Sequence, residues 1–459
     1  MLQKKYNTAM TNKFNDLILQ ATQSDNRLRK ILLGLILLSI VVIVAMNLSY
    51  EWRTLQDPYI YIKDFMQEYL MARAVLSGEN PYTPLPDLVV RFFGELSMGD
   101  GLVPILTNVS PHPPPVSILF LPFGMLPYQS ACVLWYFIEI ALVVASVCLI
   151  LKSLTSRPVG FRFVLVLALL FLAWNPFHVD LVFGQLSILN LFLLSLAWYK
   201  LSNEKLVPAG IWLGLSISIK LIAWPLVVWL IFIKRYKAAV SAILTFIVLN
   251  LLAALVISPQ AVVQYYRVVG SQVYLQYGPS AANFSITGLL WRVFSGTSAE
   301  AIEGIRALPL LHLPALPNIL APIIILAALL LILLLPICRR DQRAGFIIVL
   351  TFCVLASPVT WNHYFVLLSL PLAFAYYRIA VAPTTKPWLM TALIMTSFVL
   401  AIPVSIYSLL TAKITGVDPA ELSVITVPFW IGMISYLPAL SSMVLNWLVI
   451  RIGELNQSQ

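Results

Sequence analysis

Long runs of apolar residues recur along most of this 459-residue chain, and they constrain its fold more than any other feature. Hydrophobic residues make up 60% of the chain and charged residues only 10%, and the mean hydropathy is +0.90. A helix that faces water must keep a polar side, so runs of this kind belong in a bilayer. The sequence therefore predicts an all-α polytopic membrane protein.

The apolar runs predict about twelve transmembrane helices. We assign them to a single integral membrane domain, 1–459, because we find no internal repeat and no soluble domain. The first apolar run is long enough to cross a hydrocarbon core of about 30 Å. No small-residue cleavage site follows it, which indicates a retained anchor and not a signal peptide. Several runs are short, so we expect them to be tilted, to extend further, or to line a cavity. The twelve runs lie near 31–49, 128–151, 162–174, 181–199, 206–219, 221–233, 238–257, 319–337, 344–356, 364–380, 388–410 and 428–450.

The basic residues indicate the orientation. Most of the 29 Lys and Arg residues precede the first run or fall in alternate short loops, so that side is predicted to be cytoplasmic. An even number of crossings puts both termini there, with 1–30 as a cytoplasmic tail. The long segments 50–127 and 258–318 then become extracytoplasmic loops. This topology accounts for the formal net charge of +10, and we infer no nucleic-acid partner from it.

Motifs of several common enzyme classes are absent. The sequence has no Walker loop, no GxGxxG after a strand, no GxSxG and no HExxH. The four cysteines lie within or at the ends of apolar runs without a CxxC pair, which favours small core residues over disulfides or zinc ligands. The four histidines are far apart in sequence, so their spacing predicts no metal site.

Lys220 is the sharpest single signal for chemistry. It lies between two short apolar runs, in LGLSISIKLIAWPLVVWL, and must either turn at the outer side or pass through the membrane. An ammonium near hydrocarbon is costly unless it meets a phosphate or a water-filled cavity. A lysine that snorkels at a helix end is the alternative. We favour a functional role because ionisable groups at membrane depth usually have one.

The first long loop is rich in acids, since eight of the nineteen Asp and Glu residues lie within 51–100. Asp64 begins the segment DFMQEYLMARAVLSGENPY, whose spacing predicts a helix followed by a turn at Gly78. We expect this helix to lie along the membrane surface with its acid near the bilayer mouth. A solvated loop carboxylate, or a partner for Lys63 or Arg73, is the alternative.

Other polar residues stand at predicted outer helix ends. Consecutive prolines keep the chain extended after His112, and the apolar residues that follow suggest a short re-entrant or interfacial piece. Each such residue alone is more often an interfacial anchor or a cap than a ligand. The others are Gln185 in FGQLSILN, Asn283 and Arg292 in NFSITGLLWR, and Asn362 and His363 in SPVTWNHYF.

Taken in order, six segments resemble glycosyltransferase family 87, the polyprenyl-phosphate-sugar-dependent transferases of the glycosyltransferase-C superfamily. The resemblance implies a glycosyltransferase-C type membrane enzyme that moves a sugar, typically mannose, from a polyprenyl-phosphate donor. The sugar would pass, with inversion, to a hydroxyl of a glycolipid or glycan acceptor on the extracytoplasmic face. The six segments are DFMQEYLMARAVLSGENPY, HPPPVSILFLPFGMLP, FGQLSILNLFLL, AGIWLGLSISIKLIAWP, NFSITGLLWR and SPVTWNHYF.

The resemblance also suggests roles for individual residues. The catalytic carboxylate of the superfamily lies in the first extracytoplasmic loop, a position that Asp64 matches, so Asp64 is implied as the general base. No resident cofactor or metal site is implied, and a divalent cation would bridge the donor phosphate and Asp64. The expected partners are the lipid donor, the acceptor and membrane lipids. Donor phosphate contacts are expected at Lys220, His363, Arg292 and Arg267, and substrate contacts at Gln185, Asn283, Tyr69, Asn362 and His112.

Two departures and one competing hypothesis accompany the resemblance. The proline segment begins PHPPP where the family usually has a tyrosine before paired prolines, and segments 85–111 and 296–318, which match nothing familiar, are expected to govern acceptor choice. A transporter or lipid flippase could use Lys220 together with Glu139, an acid near the middle of the second run. A scaffold subunit would not need a lysine at membrane depth. The polar outer loops favour the transferase.

Overall fold

The computed structural model describes residues 27–94, 109–155, 160–298, 305–381, 387–418, 421 and 426–454. Most of the predicted cytoplasmic tail, residues 95–108 of segment 85–111 and residues 299–304 of segment 296–318 lie outside the described residues. Strand β1 (Arg306–Ala307) pairs in parallel with β2 (Thr426–Val427). The α-helices, in chain order, are α1 Arg27–Arg53, α2 Phe65–Leu76, α3 Leu85–Phe93, α4 Pro114–Leu119, α5 Leu121–Gly124, α6 Tyr128–Leu154, α7 Phe161–Ala173, α8 Asn175–Phe183, α9 Ser187–Ser202, α10 Leu206–Ile219, α11 Trp224–Phe232, α12 Tyr236–Val256, α13 Pro259–Gln264, α14 Gly270–Tyr277, α15 Ile286–Phe294, α16 Leu316–Leu334, α17 Pro336–Arg340, α18 Gln342–Ala356, α19 Ser369–Val381, α20 Pro387–Ala401, α21 Val404–Thr415, α22 Phe429–Gly432 and α23 Leu437–Glu454.

The described helices confirm an all-α polytopic membrane protein. Two further pairs, α7 with α8 and α20 with α21, are bent by 71° and 85° and bring the number of candidate spans to eight if each pair crosses once. Four shorter apolar helices remain, so the count of twelve crossings stays a prediction. Six helical segments are long and apolar enough to cross a bilayer: Leu33–Arg53, Tyr128–Leu154, Tyr236–Val256, Leu316–Leu334, Asn362–Val381 and Phe429–Glu454.

Two predicted runs are broken where the backbone cannot continue as a helix. The run at 181–199 is wrong as a single helix, because Gly184 adopts the left-handed conformation (φ 67°) and separates α8 from α9. The run at 388–410 bends by 85° between α20 and α21. Pro403 stands at that bend and has no backbone N–H to donate. The apolar runs therefore predicted that these segments are helical and apolar, but did not predict where the helices break.

The core surrounds α18, in which every residue from Ala344 to Ala356 is buried. Helices at the periphery are different. Large apolar side chains of α1 and α12 stay exposed, such as Leu38 at 60% and Leu255 at 82%. These helices therefore present to lipid the surface that they do not pack against protein.

Helices α10 and α12 approach each other closely through a GxxxG motif, GIWLG at Gly210–Gly214. A Cβ atom on Gly210 would collide with the backbone carbonyl of Ala238, and one on Gly214 with that of Ala242. Small residues at this spacing allow two membrane helices to pack backbone to backbone. The pair forms one wall of the cavity described below.

The helix predicted after Asp64 is confirmed as α2, and Gly78 has the positive φ (73°) expected of the turn that follows. Nine of its twelve residues are buried, so the helix is enclosed by protein and has no broad solvent face. The Phe65 ring packs against Phe120 and Trp135, with centroids 5.8 and 6.0 Å away. This packing fixes the start of the helix, where Asp64 lies.

Candidate active site

One cavity of about 1510 Å³ brings together residues from distant parts of the chain. Its walls come from α2, α10, α11, α12 and α14 and from the connections that follow α8 and α18. Most of the lining is apolar, with a small set of polar side chains, as expected of a ligand site. The predicted site residues in this lining are Asp64, His112, Gln185, Lys220, Asn362 and His363.

Asp64 occupies the N-cap position of α2 but makes no capping hydrogen bond with its side chain. Its carboxylate is instead held between two amides. Gln185 donates from Nε2 to Oδ2 at 2.5 Å, and Gln67 donates from Nε2 to Oδ1 at 3.4 Å. Burial raises the pKa of Asp64 to about 6, although the hydrogen bond from Gln185 opposes this change. A carboxyl group with this pKa is suited to accept a proton near neutral pH.

The break between α8 and α9 aims Gln185 at Asp64. Gly184 ends α8 in the left-handed conformation, and its carbonyl accepts a hydrogen bond of 3.1 Å from Trp135 Nε1. A Cβ on this glycine would lie 2.9 Å from the Cβ of Phe65, so the chain can pass here only without a side chain. Gly184 therefore lets the α8–α9 connection approach the start of α2 closely enough for Gln185 to bond Asp64.

Lys220 follows α10 in an extended conformation and is only 6% exposed. Its Nζ donates to Gln185 Oε1 at 3.3 Å and to Ser187 Oγ at 3.2 Å, and lies 4.2 Å from the Tyr364 ring centroid. Within the described part of the chain, no carboxylate oxygen lies within 4.0 Å of this ammonium. The site therefore holds a buried cation whose contacts are neutral.

The amide of Gln185 joins the base candidate to this cation. Its nitrogen bonds Asp64 and its oxygen accepts from Lys220. Since an amide nitrogen only donates and an amide oxygen only accepts, these two contacts fix the orientation of the amide. The carboxylate and the ammonium are thus held on either side of one planar group.

Two histidines line the same cavity. His112 Nε2 lies 2.9 Å from Oε1 of the fully buried Glu68. His363 packs edge-on against Tyr364 with ring centroids 4.8 Å apart. Asn362, beside it, is 6% exposed, and its Nδ2 has no hydrogen-bond partner among the described residues.

Asn283 is not brought to the cavity lining. Its Nδ2 donates to the carbonyls of Gly278 and Pro358 at 3.1 and 3.0 Å. Its Oδ1 accepts from the backbone N–H groups of Ser285 and Thr360 at 3.1 and 3.0 Å. Every polar atom of this side chain is used to tie two loops together.

Arg292 is also absent from the lining and is 1% exposed. Its guanidinium donates to the carbonyls of Asn283 (2.9 Å), Gly288 (3.2 Å) and Ala281, and lies 4.2 Å from the Tyr436 ring centroid. Burial lowers the pKa of Arg292 to about 10. These contacts describe an arginine that organises a loop.

Three further predicted residues lie away from the lining. Tyr69 is buried and donates its hydroxyl to the carbonyl of Leu126 at 2.9 Å. Arg267 is exposed on the short π-helix Tyr265–Val269. Glu139 is fully buried in α6, and neither of its carboxyl oxygens has a hydrogen-bond partner within the described part of the chain.

Several residues around the site were not predicted as ligands. The spacing of Glu68 and Gln67 from Asp64 could have indicated them, because residues three and four apart share a helix face. Asp180, whose Oδ1 accepts from the Ile188 N–H at 3.2 Å at the start of α9, and Tyr364, under Lys220, come close only through the tertiary fold. No group of three or more His, Cys, Asp or Glu side chains that could hold a metal ion occurs among the described residues.

The fold and the cavity define an integral membrane protein with a partly buried carboxylate and a buried ammonium and imidazole around a large, mainly apolar chamber. The model of glycosyltransferase family 87 matches residues 111–358, more than half of the sequence, and the chain belongs to this family. Lys220, Gln185 and His112 lie within the matched region, whereas Asp64 precedes it.

A curated relative is the polyprenol-phosphate-mannose-dependent alpha-(1-2)-phosphatidylinositol pentamannoside mannosyltransferase of Mycobacterium tuberculosis (strain CDC 1551 / Oshkosh). It is 22% identical over 258 residues, which are 56% of this chain and 55% of the relative. The chain thus spans about half the length of the curated relative that it matches. No solved structure matches significantly.

Proposed function

We propose that this protein is a glycosyltransferase that moves a sugar, mannose in the first instance, from a polyprenyl-phosphate donor to a hydroxyl of a glycolipid or glycan acceptor. The observation that carries the proposal is the single amide of Gln185, which bonds both Asp64 and Lys220 in one cavity. A base for the incoming hydroxyl and a cation for the leaving phosphate are the two groups that this reaction needs. Family membership and the name of the relative support the donor class.

Asp64 acts as the general base of an inverting transfer. The acceptor oxygen attacks the anomeric carbon and gives its proton to the Asp64 carboxylate. The bond between the anomeric carbon and the phosphate oxygen breaks, and the phosphate leaves with the electron pair. Attack and departure occur on opposite faces of the sugar, so base and phosphate contacts belong on different sides of the cavity. Positioned proton transfer of this kind contributes about 10²- to 10⁴-fold to a rate.

Lys220 stabilises the negative charge that grows on the leaving phosphate, with His363 as a second contact. The ammonium is already desolvated and its direct hydrogen-bond partners are neutral, while Asp180, Glu68 and Asp64 act on it without forming an ion pair, so a phosphate becomes its direct counter-ion when the donor binds. Lys220 needs little rearrangement, since Gln185 and Tyr364 hold it in place before the donor arrives. Were a divalent cation to take part, Asp64 would hold it, and it would neutralise charge on the donor phosphate.

The apolar wall of the cavity suits the polyprenyl chain. Val227 and Val228 of α11 and Ala242, Ile243 and Phe246 of α12 all line the chamber, and α12 is itself a candidate membrane span. A lipid tail can lie along these helices while its phosphate reaches Lys220. The acceptor then enters on the side of His112 and α14, where Asn362 and the polar residues of the helix offer hydrogen bonds.

The same proposal includes the topology that the basic residues predict. Both termini lie in the cytoplasm, about twelve helices cross the membrane in a glycosyltransferase-C type arrangement, and the cavity opens on the extracytoplasmic face. A lipid-linked donor fits that topology, because the curated relative is named for a polyprenol-phosphate-mannose donor. The membrane itself then supplies the donor, and lipids surround the protein.

The test is sugar transfer by purified protein in proteoliposomes, with radiolabelled polyprenyl-phosphate mannose and a mixed glycolipid acceptor pool. Asp64→Asn is expected to lower transfer at least about 100-fold while the protein stays monodisperse. Glu139→Gln is the matched control, since it converts a carboxyl to an amide as Asp64→Asn does, but at a fully buried residue outside the cavity lining. It is expected to keep transfer within about threefold of wild type.

Two outcomes contradict the proposal. If neither wild type nor Glu139→Gln transfers label from any of several lipid-linked sugars, the protein is not this transferase. If Asp64→Asn transfers as well as wild type, Asp64 is not the base. Movement of labelled lipid across the bilayer that requires Glu139 instead favours a transporter.

A further inference from the structure

Two residues that line the cavity, Gln67 and Asn362, each have a buried amide atom without a hydrogen-bond partner among the described residues, Oε1 and Nδ2 respectively. The two residues are 8% and 6% exposed. A buried polar atom that stays unpaired costs about 1–3 kcal/mol, so such atoms in a binding cavity point to a ligand that pairs with them. Asn362 was expected to contact substrate, whereas Gln67 had no predicted role.

The chemistry of the neighbours fixes which atom of Gln67 is free. Its Nε2 donates to Asp64 Oδ1 at 3.4 Å. The opposite amide orientation would put a carbonyl oxygen against a carboxylate oxygen, and two acceptors repel each other. The free atom is therefore the amide oxygen, and it requires a donor such as a hydroxyl group.

The two oxygens of Asp64 face different partners. Oδ2 is bonded to Gln185, which leads on to Lys220 and the leaving phosphate. Oδ1 accepts a hydrogen bond from Gln67, which has no hydrogen bond with a cationic side chain among the described residues. In an inverting transfer the phosphate and the attacking hydroxyl lie on opposite faces of the sugar, so Gln67 stands with the acceptor.

We propose that Gln67 is an acceptor-binding residue whose Oε1 accepts a hydrogen bond from a second acceptor hydroxyl, on the carbon next to the attacking hydroxyl. The site thereby selects acceptors with a vicinal diol, as in a pyranose sugar. This inference rests on the proposed function. Asp64 takes the proton of the attacking hydroxyl, and Gln67 orients the ring through its neighbour, one helical turn further along the same face of α2.

The experiment follows the logic of a double-mutant cycle: the Gln67 side chain and one acceptor hydroxyl are removed separately and together. Wild type and Gln67→Leu are assayed with labelled polyprenyl-phosphate mannose, an alkyl α-mannoside acceptor and its monodeoxy analogues, and kcat/KM is measured for each. In wild type, one deoxy analogue next to the attacked position is expected to lose about 10- to 100-fold, because it leaves Oε1 unpaired. In Gln67→Leu that penalty is expected to shrink to within about threefold. The KM for the donor stays unchanged.

Two further variants separate binding from a merely structural effect. Gln67→Glu keeps an acceptor atom but loses the donor to Asp64, so it should retain the deoxy pattern while the acidic limb of its pH profile moves to higher pH. Gln342→Leu is the matched control. Gln342 donates to the backbone carbonyl of Leu201 at 2.8 Å and, like Gln67, has an Oε1 with no partner among the described residues, yet it does not line the cavity. Its deoxy pattern is expected to match wild type.

The outcomes are distinguishable. Equal deoxy penalties in wild type and Gln67→Leu, with both enzymes active, overturn the role of Gln67 and leave the transferase intact. An inactive wild type overturns the proposed function and this inference with it. If Gln67→Leu is not recovered as folded protein, Gln67→Asn withdraws the oxygen by one methylene, and an unchanged deoxy pattern in that variant overturns the inference in the same way.

Discussion

Replacing Lys220 by methionine should damage catalysis while leaving the fold nearly intact, an unusual combination for a buried residue. The ammonium has three neutral contacts, at 3.3 Å (Gln185 Oε1), 3.2 Å (Ser187 Oγ) and 4.2 Å (the Tyr364 ring). Methionine fills a similar volume and removes the cost of desolvating the ammonium, a cost that the nearby carboxylates of Asp180, Glu68 and Asp64 offset only in part. Gln185 lines the cavity and can bond water instead. We expect the free energy of unfolding to change by less than about 1 kcal/mol.

The catalytic effect follows from the charge on the phosphate. A unit charge pair 4 Å apart interacts by about 4 kcal/mol at an effective dielectric constant of about 20. The donor phosphate already carries charge in the ground state, so only part of this energy appears in the transition state, and hydrogen bonds to charged groups contribute about 1.5–3 kcal/mol. A loss of about 2–3 kcal/mol lowers kcat/KM about 30- to 150-fold.

Lys63→Met is the matched control. Lys63 is also a buried lysine, but its Nζ bonds Thr54 Oγ1 at 2.9 Å and the carbonyls of Leu181 and Val182 in the last turn of α8 at 3.5 and 2.5 Å. Burial lowers the pKa of Lys63 to about 8, and the residue does not line the cavity. Its loss leaves helix-end carbonyls unpaired and should destabilise the protein by about 1–3 kcal/mol.

The two variants should therefore show opposite profiles. Kinetics with polyprenyl-phosphate mannose and the melting temperature in detergent are measured for both. We expect Lys220→Met to lose turnover and keep its melting temperature, and Lys63→Met to melt earlier with near-normal activity per folded molecule. A Lys220→Met protein that keeps more than about a third of wild-type kcat/KM, or that melts as early as Lys63→Met, refutes the argument.

The remaining predictions concern pH and the Gly184 turn. Burial raises the pKa of Asp64 to about 6 and only the carboxylate accepts a proton, so kcat/KM should fall about tenfold per pH unit below pH 6 and level off above it. Gln185→Leu removes the hydrogen bond that opposes this rise, so the acidic limb of the pH–rate profile should move to higher pH; a limb that stays in place contradicts the assignment of the base. Gly184→Ala places a side chain at a positive φ and 2.9 Å from the Cβ of Phe65. It should therefore lower the melting temperature more than Gly416→Ala, which has a similar φ (69°) but no atom within 4 Å of the added Cβ. Equal decreases in melting temperature would mean that the clash with Phe65 is relieved.

Sequence patterns predicted the helices and turns whose formation depends only on residues close by in the chain. The helix after Asp64 follows from apolar spacing and a glycine turn, both of which are local. The break inside 181–199 was missed because Gly184 looks tolerable within an apolar run. It is required there by contact with Phe65, more than a hundred residues earlier. The number of crossings is equally hard to predict, because short apolar helices can cross, re-enter or line a chamber.

The hydrogen-bond partners of a polar side chain decide whether it holds loops together or lines the cavity, and the sequence alone does not reveal these partners. Asn283 resembled a sugar ligand, but four backbone groups occupy its amide. Gln185 was predicted to contact substrate as well, and its amide lies in the cavity lining, where it bonds both Asp64 and Lys220. An amide side chain before a helix therefore ties loops together in one place and links two ionisable groups in another.

Three buried cations make the distinction sharper. Arg292 and Lys63 are both satisfied by backbone carbonyls, so their charge is used up in holding loops and helix ends. Lys220 has two neutral side-chain acceptors and an aromatic face, and it alone of the three lines the cavity. A protein gains nothing in stability from burying a charge in this way. Asp180, Glu68 and Asp64 offset part of the cost without forming an ion pair with the ammonium, and a bound phosphate would pair with it directly, so Lys220 is the one of the three cations best placed for the proposed donor phosphate.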